Sequence, residues 1–368
     1  MILNLKSQTD LSGFYVVYRG STNLEKPGIY GIAHLMEHLM TKNVDHLQED
    51  YDREGIDFNA YTSNNEIVFH LTGIDEKINE RKHEFVELLS EFNVTKDQFE
   101  NERKIVLEEY MDAFNDQTSS HLLNLNRKVF NSYSPIGLKE DLLNLNFMDC
   151  LKFFETQYMF PSKIINVSKN NLYNNNLINF NNKKINREVK FGNYNPKLEI
   201  NNQFKDKSSI IILSPVIQKD FAYVHFINAM LGLGLKSPLY QEIREKRSLA
   251  YYVQIHMMRM NRQGIINIVT QTSNKNTDTV IECVKDIIDN PNKYLTKKRF
   301  DLVKDFYKIR KKKMRILKHG NVSKWIEPKS FSIFNIIDTV KFSDIQKVYK
   351  EQYDFNNFYI SNDKTEFQ

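Results

Sequence analysis

The segment Phe154-Glu155-Thr156-Gln157-Tyr158-Met159-Phe160 returns as Tyr349-Lys350-Glu351-Gln352-Tyr353-Asp354-Phe355, its glutamines 195 positions apart (157 to 352). Self-similarity at a fixed interval constrains a chain to build one supersecondary unit more than once. Each copy precedes a strand-like run, at residues 164–167 and 358–360, and each half opens with a strand-like run followed by a helical one. Those opening pairs fall at 14–18 then 30–40, and at 210–213 then 221–233. With 368 residues the chain is too long for one ordinary core and suits two domains of roughly 150–200 residues. The expectation is an α+β protein made of two related domains, 1–185 and 186–368, each a mostly antiparallel sheet packed with helices. The Asn/Lys-rich stretch 169–202 reads as the linker, with the cut near Ile185.

The two halves differ in chemistry. The first carries His34-Leu35-Met36-Glu37-His38. On a helix, with about 100° per residue, His34, Glu37, His38 and Thr41 share a face while Ile32, Leu35, Met36, Leu39 and Met40 lie opposite. Two imidazoles one turn apart can grip one divalent ion, and a carboxylate beside them can take a proton without being a ligand. A catalytic zinc takes a third protein ligand. Residues 95–114 supply a candidate, with a capping box at Thr95-Lys96-Asp97-Gln98 and the stripe Phe99, Glu102, Ile105, Val106, Glu109, Tyr110. Two carboxylates in an apolar face are costly unless paired or bound to metal. Glu109 is therefore the third-ligand candidate and Glu102 its supporting partner, orienting a histidine or the water. In the second half the matching helix reads Ile227-Asn228-Ala229-Met230-Leu231, so the metal site is expected in the first domain alone.

With these residues in hand, the chain resembles the M16 (pitrilysin-like) metallopeptidases, the family of insulin-degrading enzyme and the mitochondrial processing peptidases. The resemblance rests on H-x-x-E-H followed by Glu102-Arg103-Lys104-Ile105-Val106-Leu107-Glu108-Glu109, whose last residue stands 71 positions beyond His38 (38 to 109). It implies two homologous LuxS/MPP-like domains and one Zn2+ per chain held by His34, His38 and Glu109. Glu37 would be the catalytic base and Glu102 the supporting acid. Gly55-Ile56-Asp57-Phe58-Asn59-Ala60-Tyr61-Thr62 resembles the family's active-site edge strand, which makes Asn59, Ala60, Tyr61 and Thr62 substrate-binding candidates. A second signature, residues 237–251, places Arg244 and Tyr251 where the family contacts substrate or transition state. A guanidinium can hold a peptide carbonyl, and a phenol can donate to a developing oxyanion. Family members enclose the site between two such halves. A homodimer, or a heterodimer with a related subunit, is therefore implied, with unfolded or flexible peptide as substrate. The alternative on the same fold is a non-catalytic structural or peptide-binding subunit.

Two departures from the family pattern stand out. Met40-Thr41-Lys42-Asn43 replaces a Phe-x-Gly-Thr-like turn, and only residues 1–12 precede the first strand-like run, which implies a trimmed or missing edge strand. S-ribosylhomocysteine lyases share H-x-x-E-H but use a cysteine ligand in a much shorter chain. Cys150 and Cys283 fall in different halves with no metal-like neighbours, so no disulfide is expected. A net charge of +5 is too weak to nominate nucleic acid, and the run 308–315 reads as a solvated basic helix face. The absence of a long apolar stretch and of a signal-like start points to a soluble, intracellular protein with no membrane partner. His70 and His256 are expected to pack in strands.

Overall fold

The computed structural model describes residues 1–19, 21–130, 134–181, 197–199, 207–216, 218–260, 263–316 and 333–362. Ile185, near the expected cut, lies outside them. The chain forms two compact units that interleave along the sequence. The first is built chiefly of Met1–Ala113 and Tyr133–Arg187, the second of Phe114–Ser132, Glu188–Lys312 and Glu327–Gln368.

The first unit holds a five-stranded sheet of β1 (Ile2–Lys6), β2 (Leu11–Arg19), β3 (Asp57–Thr62), β4 (Glu66–Ile74) and β5 (Lys163–Ser168) in the order β1-β5-β2-β4-β3. β1 pairs with β5 in parallel and the remaining pairs are antiparallel. Central β2 is rich in aromatic and β-branched residues and buried over seven consecutive positions, as expected for a strand covered on both faces. Phe14, Val16, Phe69, Leu71 and Phe85 are fully buried in this unit. Its helices are α1 (Ile32–Thr41), α2 (Gln48–Glu54), α3 (Asp75–Leu88), α4 (Lys96–Asn115), α6 (Lys139–Asn144) and α7 (Phe147–Phe153), and α5 (Gln117–Phe130), between α4 and α6 in sequence, falls in the second unit.

The second unit repeats the plan. Its sheet is β6 (Lys197–Glu199), β7 (Lys207–Val216), β8 (Ala250–Met260), β9 (Gln263–Ser273) and β10 (Tyr359–Asn362), in the order β6-β10-β7-β9-β8. Again the outer pair, β6 with β10, is parallel and the rest antiparallel. Strand for strand, the order and senses match those of the first sheet. Its helices include α8 (Phe221–Gly232), α9 (Thr277–Asp289), α10 (Pro291–Tyr294) and α11 (Lys297–Ile316), with a further helix at Phe342–Gln352. The repeated glutamine segments sit where the sequence comparison puts them, just ahead of β5 and β10. This is the two-domain α+β architecture expected from the repeat.

Three details differ from the sequence reading. The edge strand expected to be trimmed or missing is present as β1, because five residues starting at Ile2 suffice to pair with β5. The Asn-rich stretch after β5 begins as packed structure and not as linker. Asp75 accepts from the backbone N–H groups of Lys169 and Asn170, Asn4 Oδ1 accepts from Tyr173 N at 2.8 Å, and the Tyr173 ring meets Phe14 edge-on at 4.8 Å. Polar side chains here serve as hydrogen-bond partners for a strap anchored by the buried Tyr173, a role that composition does not separate from a linker's. Finally, α5 follows α4 in sequence but belongs to the second unit. Its Leu125 packs with Ile211, Leu213, Ile265 and Val269 of that unit's sheet.

Cys150 and Cys283 are buried free thiols, as expected. Within the described residues no helix is long and apolar enough to cross a membrane.

Candidate metal centre and active site

The back of α1 is apolar, and Ile32, Leu35, Met36, Leu39 and Met40 are fully buried. That burial fixes which way the polar face turns. The N-terminus of α1 is set by Gly31, whose φ of 99° suits glycine, and by Gly137, whose Cα side abuts it so closely that an added Cβ would lie 2.4 Å from Gly31 Cα. Buried Glu25 accepts a hydrogen bond from Ala33 N at 2.9 Å, so a carboxylate occupies the positive end of the helix.

His34 and His38 stand one turn apart with ring centroids 4.8 Å apart. Glu109 of α4 approaches both: Oε2 lies 3.5 Å from His34 Nε2 and Oε1 lies 3.6 Å from His38 Nε2. One ligand atom from each of the three residues falls within 4.8 Å of the others. Two donors each about 2.1 Å from an ion at a tetrahedral angle sit about 3.4 Å apart, close to each of the two Glu109 contacts taken one oxygen at a time, and two imidazoles with a carboxylate are donor types that zinc takes. Burial and the neighbouring His38 draw His34 down to about 4, which keeps its imidazole neutral near pH 7, the form that binds metal.

Glu102, two turns before Glu109 on the same stripe of α4, is buried and bonded on both oxygens. Oε2 lies 3.1 Å from His38 Nδ1, and Oε1 lies 3.1 Å from Lys42 Nζ. A carboxylate on Nδ1 holds the ring proton there and leaves Nε2 as the lone-pair donor facing Glu109. Lys42 also binds Asp45 at 2.8 Å. Sequence reading missed Lys42, treating its segment only as a departure from the family turn. A lysine one turn after the second histidine is the signal that could have found it.

Glu37 does not join the three-ligand group. Its Oε2 accepts from Thr62 Oγ1 of β3 at 2.5 Å. Burial pushes the Glu37 carboxyl above the usual carboxylate range, partly offset by the Thr62 hydrogen bond and by His38, with Glu109 adding to the rise. A carboxylate made more basic in this way is suited to accepting a proton. Asn59, Ala60 and Tyr61 lie on the same strand, which forms the open edge of the first sheet and pairs only with β4 among the described residues. The candidate ligand set contains no cysteine: Cys150 is buried in α7 and is not among the three.

Arg244 and Tyr251 are brought together in the second unit. The Arg244 guanidinium donates to Tyr251 O at 3.0 Å and lies over the rings of Tyr251 and Tyr240, 4.6 and 4.9 Å from their centroids. A tight turn links them, with Ser248 at a φ of 51°. Tyr251 is 78% exposed, so its ring is available to a ligand.

Comparison with known families decides the assignment. Residues 6–135 match the family model described as Insulinase (Peptidase family M16), and residues 170–307 match the one described as Peptidase M16 inactive domain. The chain belongs to the M16 peptidase family. Among relatives of this M16 chain, the Bacillus subtilis (strain 168) protein named uncharacterized zinc protease YmxG is 23% identical, covering 72% of this chain and 69% of its own length. The Helicobacter pylori protein named zinc protease PqqE is 26% identical over 44% of this chain and 38% of its own. Among solved structures, a protease from Helicobacter pylori superposes with a TM-score of 0.81 at 17% identity, covering 98% of this chain and 96% of that one. A Pseudomonas fluorescens structure described as a peptidase M16 inactive domain gives 0.81 at 14% identity, covering 98% and 94%. At these identities the structures speak for the fold.

Proposed function

We propose that this M16 chain is a zinc-dependent endopeptidase that cleaves unfolded peptides or flexible segments. The observation that carries the reading is the convergence of His34, His38 and Glu109 beside a Glu37 carboxyl held by Thr62. His34, His38 and Glu109 would hold the ion, and a bound zinc would supply Lewis acidity at that point. Glu37 takes one proton from the water that attacks the scissile carbonyl and gives it to the leaving amine nitrogen, so water is consumed and acid and amine are released. Thr62 fixes the direction in which Glu37 presents itself. Glu102, tied to His38 and Lys42, keeps His38 in the tautomer that points Nε2 at the site. Substrate would add as a strand along residues 58–63, where backbone pairing gives affinity and side-chain contacts give preference.

The relatives named zinc proteases support this reading, as does the completeness of the H-x-x-E-H set. An Arabidopsis thaliana relative, 24% identical over 36% of this chain, is named a probable mitochondrial-processing peptidase subunit beta, which makes partnership part of the proposal. The working enzyme is a homodimer or a heterodimer with a related M16 subunit, in which Arg244 and Tyr251 of one chain complete the zinc site of the other.

The test of activity is purified protein incubated with a mixed peptide library, with and without chelator, beside Glu37→Gln. Cleavage that chelator and Glu37→Gln both abolish is expected. Absence of chelator-sensitive cleavage at every peptide length would overturn the peptidase reading. The trans arrangement is tested by mixing an Arg244→Ala chain with a Glu37→Gln chain. Activity should return on mixing, and its failure to do so while the two chains still associate sinks the arrangement.

A further inference from the structure

Lys42 caps the C-terminus of α1, its N–H bonded to Leu39 O at 3.2 Å. A cation at that end of a helix is ordinarily a complement to the helix dipole. The Lys42 side chain is used otherwise. Its Nζ lies 3.1 Å from Glu102 Oε1 and 2.8 Å from Asp45 Oδ2, and Glu102 Oε2 lies 3.1 Å from His38 Nδ1. Asp45, Lys42, Glu102 and His38 thus form one chain of contacts from an exposed carboxylate to a candidate metal ligand. The Glu102 side chain is 6% exposed, and among the described residues Lys42 is the one lysine or arginine paired with it.

The second unit shows how the same fold is packed with alanine at the position of His38. α8 repeats α1 at an offset of 191 (35 to 226), so that Leu35, Met36 and Leu39 correspond to Phe226, Ile227 and Met230, all fully buried. α11 repeats α4 at an offset of 201 (96 to 297), with Phe99 and Val106 matched by the buried Phe300 and Tyr307. In this register His38 becomes Ala229 (38 to 229), Lys42 becomes Leu233 (42 to 233) and Glu102 becomes Val303 (102 to 303). Val303 is fully buried, Leu233 packs on the core, and the last carbonyls of α8 accept from Arg299. Acid and lysine are lost together in the copy that lacks the histidine they touch. A buried ion pair adds little net stability over well-packed apolar residues of similar size, whereas removing one partner leaves an uncompensated charge. The fold has no need of the pair, and its use is at His38.

We propose that Lys42 is a positioning residue of the metal centre, holding Glu102 in the one orientation in which His38 keeps its proton on Nδ1 and turns Nε2 to the ion. The proposal rests on the reading of His34, His38 and Glu109 as zinc ligands and adds a residue that acts on the ion through Glu102 and His38.

Two readouts test it, and neither is cleavage. Zinc affinity is measured by competition with a fluorescent chelator, and the His38 tautomer by nitrogen NMR of the isotope-labelled, metal-free chain, with His38→Gln identifying the signal. Lys42→Met should bind zinc about tenfold more weakly, the lower end of what losing the support of a metal ligand costs. Lys42→Arg, which keeps the charge and the donors, should restore most of that affinity. In the metal-free chain His38 should carry its proton on Nδ1 alone in the parent and be a mixture of both tautomers in Lys42→Met. The double variant Lys42→Leu/Glu102→Val, the second unit's own solution, guards against misfolding. Its urea midpoint should be no lower than the parent's while zinc binding falls about 10–100-fold. The proposal is overturned if Lys42→Met binds zinc as the parent does, if Lys42→Arg binds no better than Lys42→Met, if the His38 tautomer is unchanged in Lys42→Met, or if the double variant keeps the parent's affinity. A parent chain that binds no zinc fails the peptidase reading, and the tautomer then decides the role of Lys42 by itself.

Discussion

Glu102 shows how much one buried acid can organise. It is bonded to His38 on one oxygen and to Lys42 on the other, so its charge is matched inside the protein and His38 is held in one tautomer. Replacing it with Gln keeps the shape but removes the charge that favours a proton on Nδ1. Glu102→Gln should therefore weaken zinc binding by about 10–100-fold while the chain stays folded. Competition with a fluorescent chelator measures this directly, and unchanged affinity would remove Glu102 from the support of the site. The pair Glu102 and Glu109 was legible in the sequence because both acids lie on an apolar helical stripe. Lys42 was not, because a lysine at the end of a helix reads as ordinary solvated charge until a buried partner is seen.

At the scale of elements, the strap after β5 and helix α5 each carry a consequence for stability. Tyr173 is 1% exposed, packed on Phe14 and anchored through its N–H to Asn4. Tyr173→Ala should cost the first unit about 3 kcal/mol by loss of buried area and the cavity left behind, read as a lower urea midpoint at unchanged slope. Helix α5 is attached to the second unit through Leu125 and through His121, whose Nε2 lies 2.8 Å from Ser361 Oγ. Burial holds His121 down to about 4 from an ordinary 6.5. The unfolded chain therefore binds this proton first as pH falls. The stability His121 contributes is complete above about pH 6.5 and is lost progressively towards pH 4. Within that window the group contributes a slope of about 1.4 kcal/mol per pH unit. His121→Gln should flatten the acid-side loss of stability by that amount, and a pH series of denaturant melts that overlays the parent would refute it.

For the whole molecule, the proposed zinc would be linked to the fold through one unit. His34, His38 and Glu109 lie in the first unit, and the second repeats the topology with no such group among the described residues. Zinc that binds the folded first unit and not the unfolded chain should stabilise it by about 2.7 kcal/mol at a free concentration of 100 times Kd. Calorimetry with and without zinc should show this as a higher midpoint in the parent chain and none in Glu109→Gln. An equal rise in Glu109→Gln would place the stabilising ion elsewhere.

Periodicity and spacing are local, and what they record about this chain is local too. The repeat dictated two copies of one α+β unit, the helical phase of residues 32–41 placed histidines and glutamate on one face, and the 71-position step to Glu109 named a third ligand. Contacts between residues far apart in sequence were decided only by the tertiary structure. β1 pairs across the sheet with β5, Thr62 of an edge strand reaches Glu37, and α5 leaves its sequence neighbours to cover the other unit's sheet. Each of these rests on which apolar face finds which partner, a quantity set by three-dimensional packing and invisible to any window along the chain.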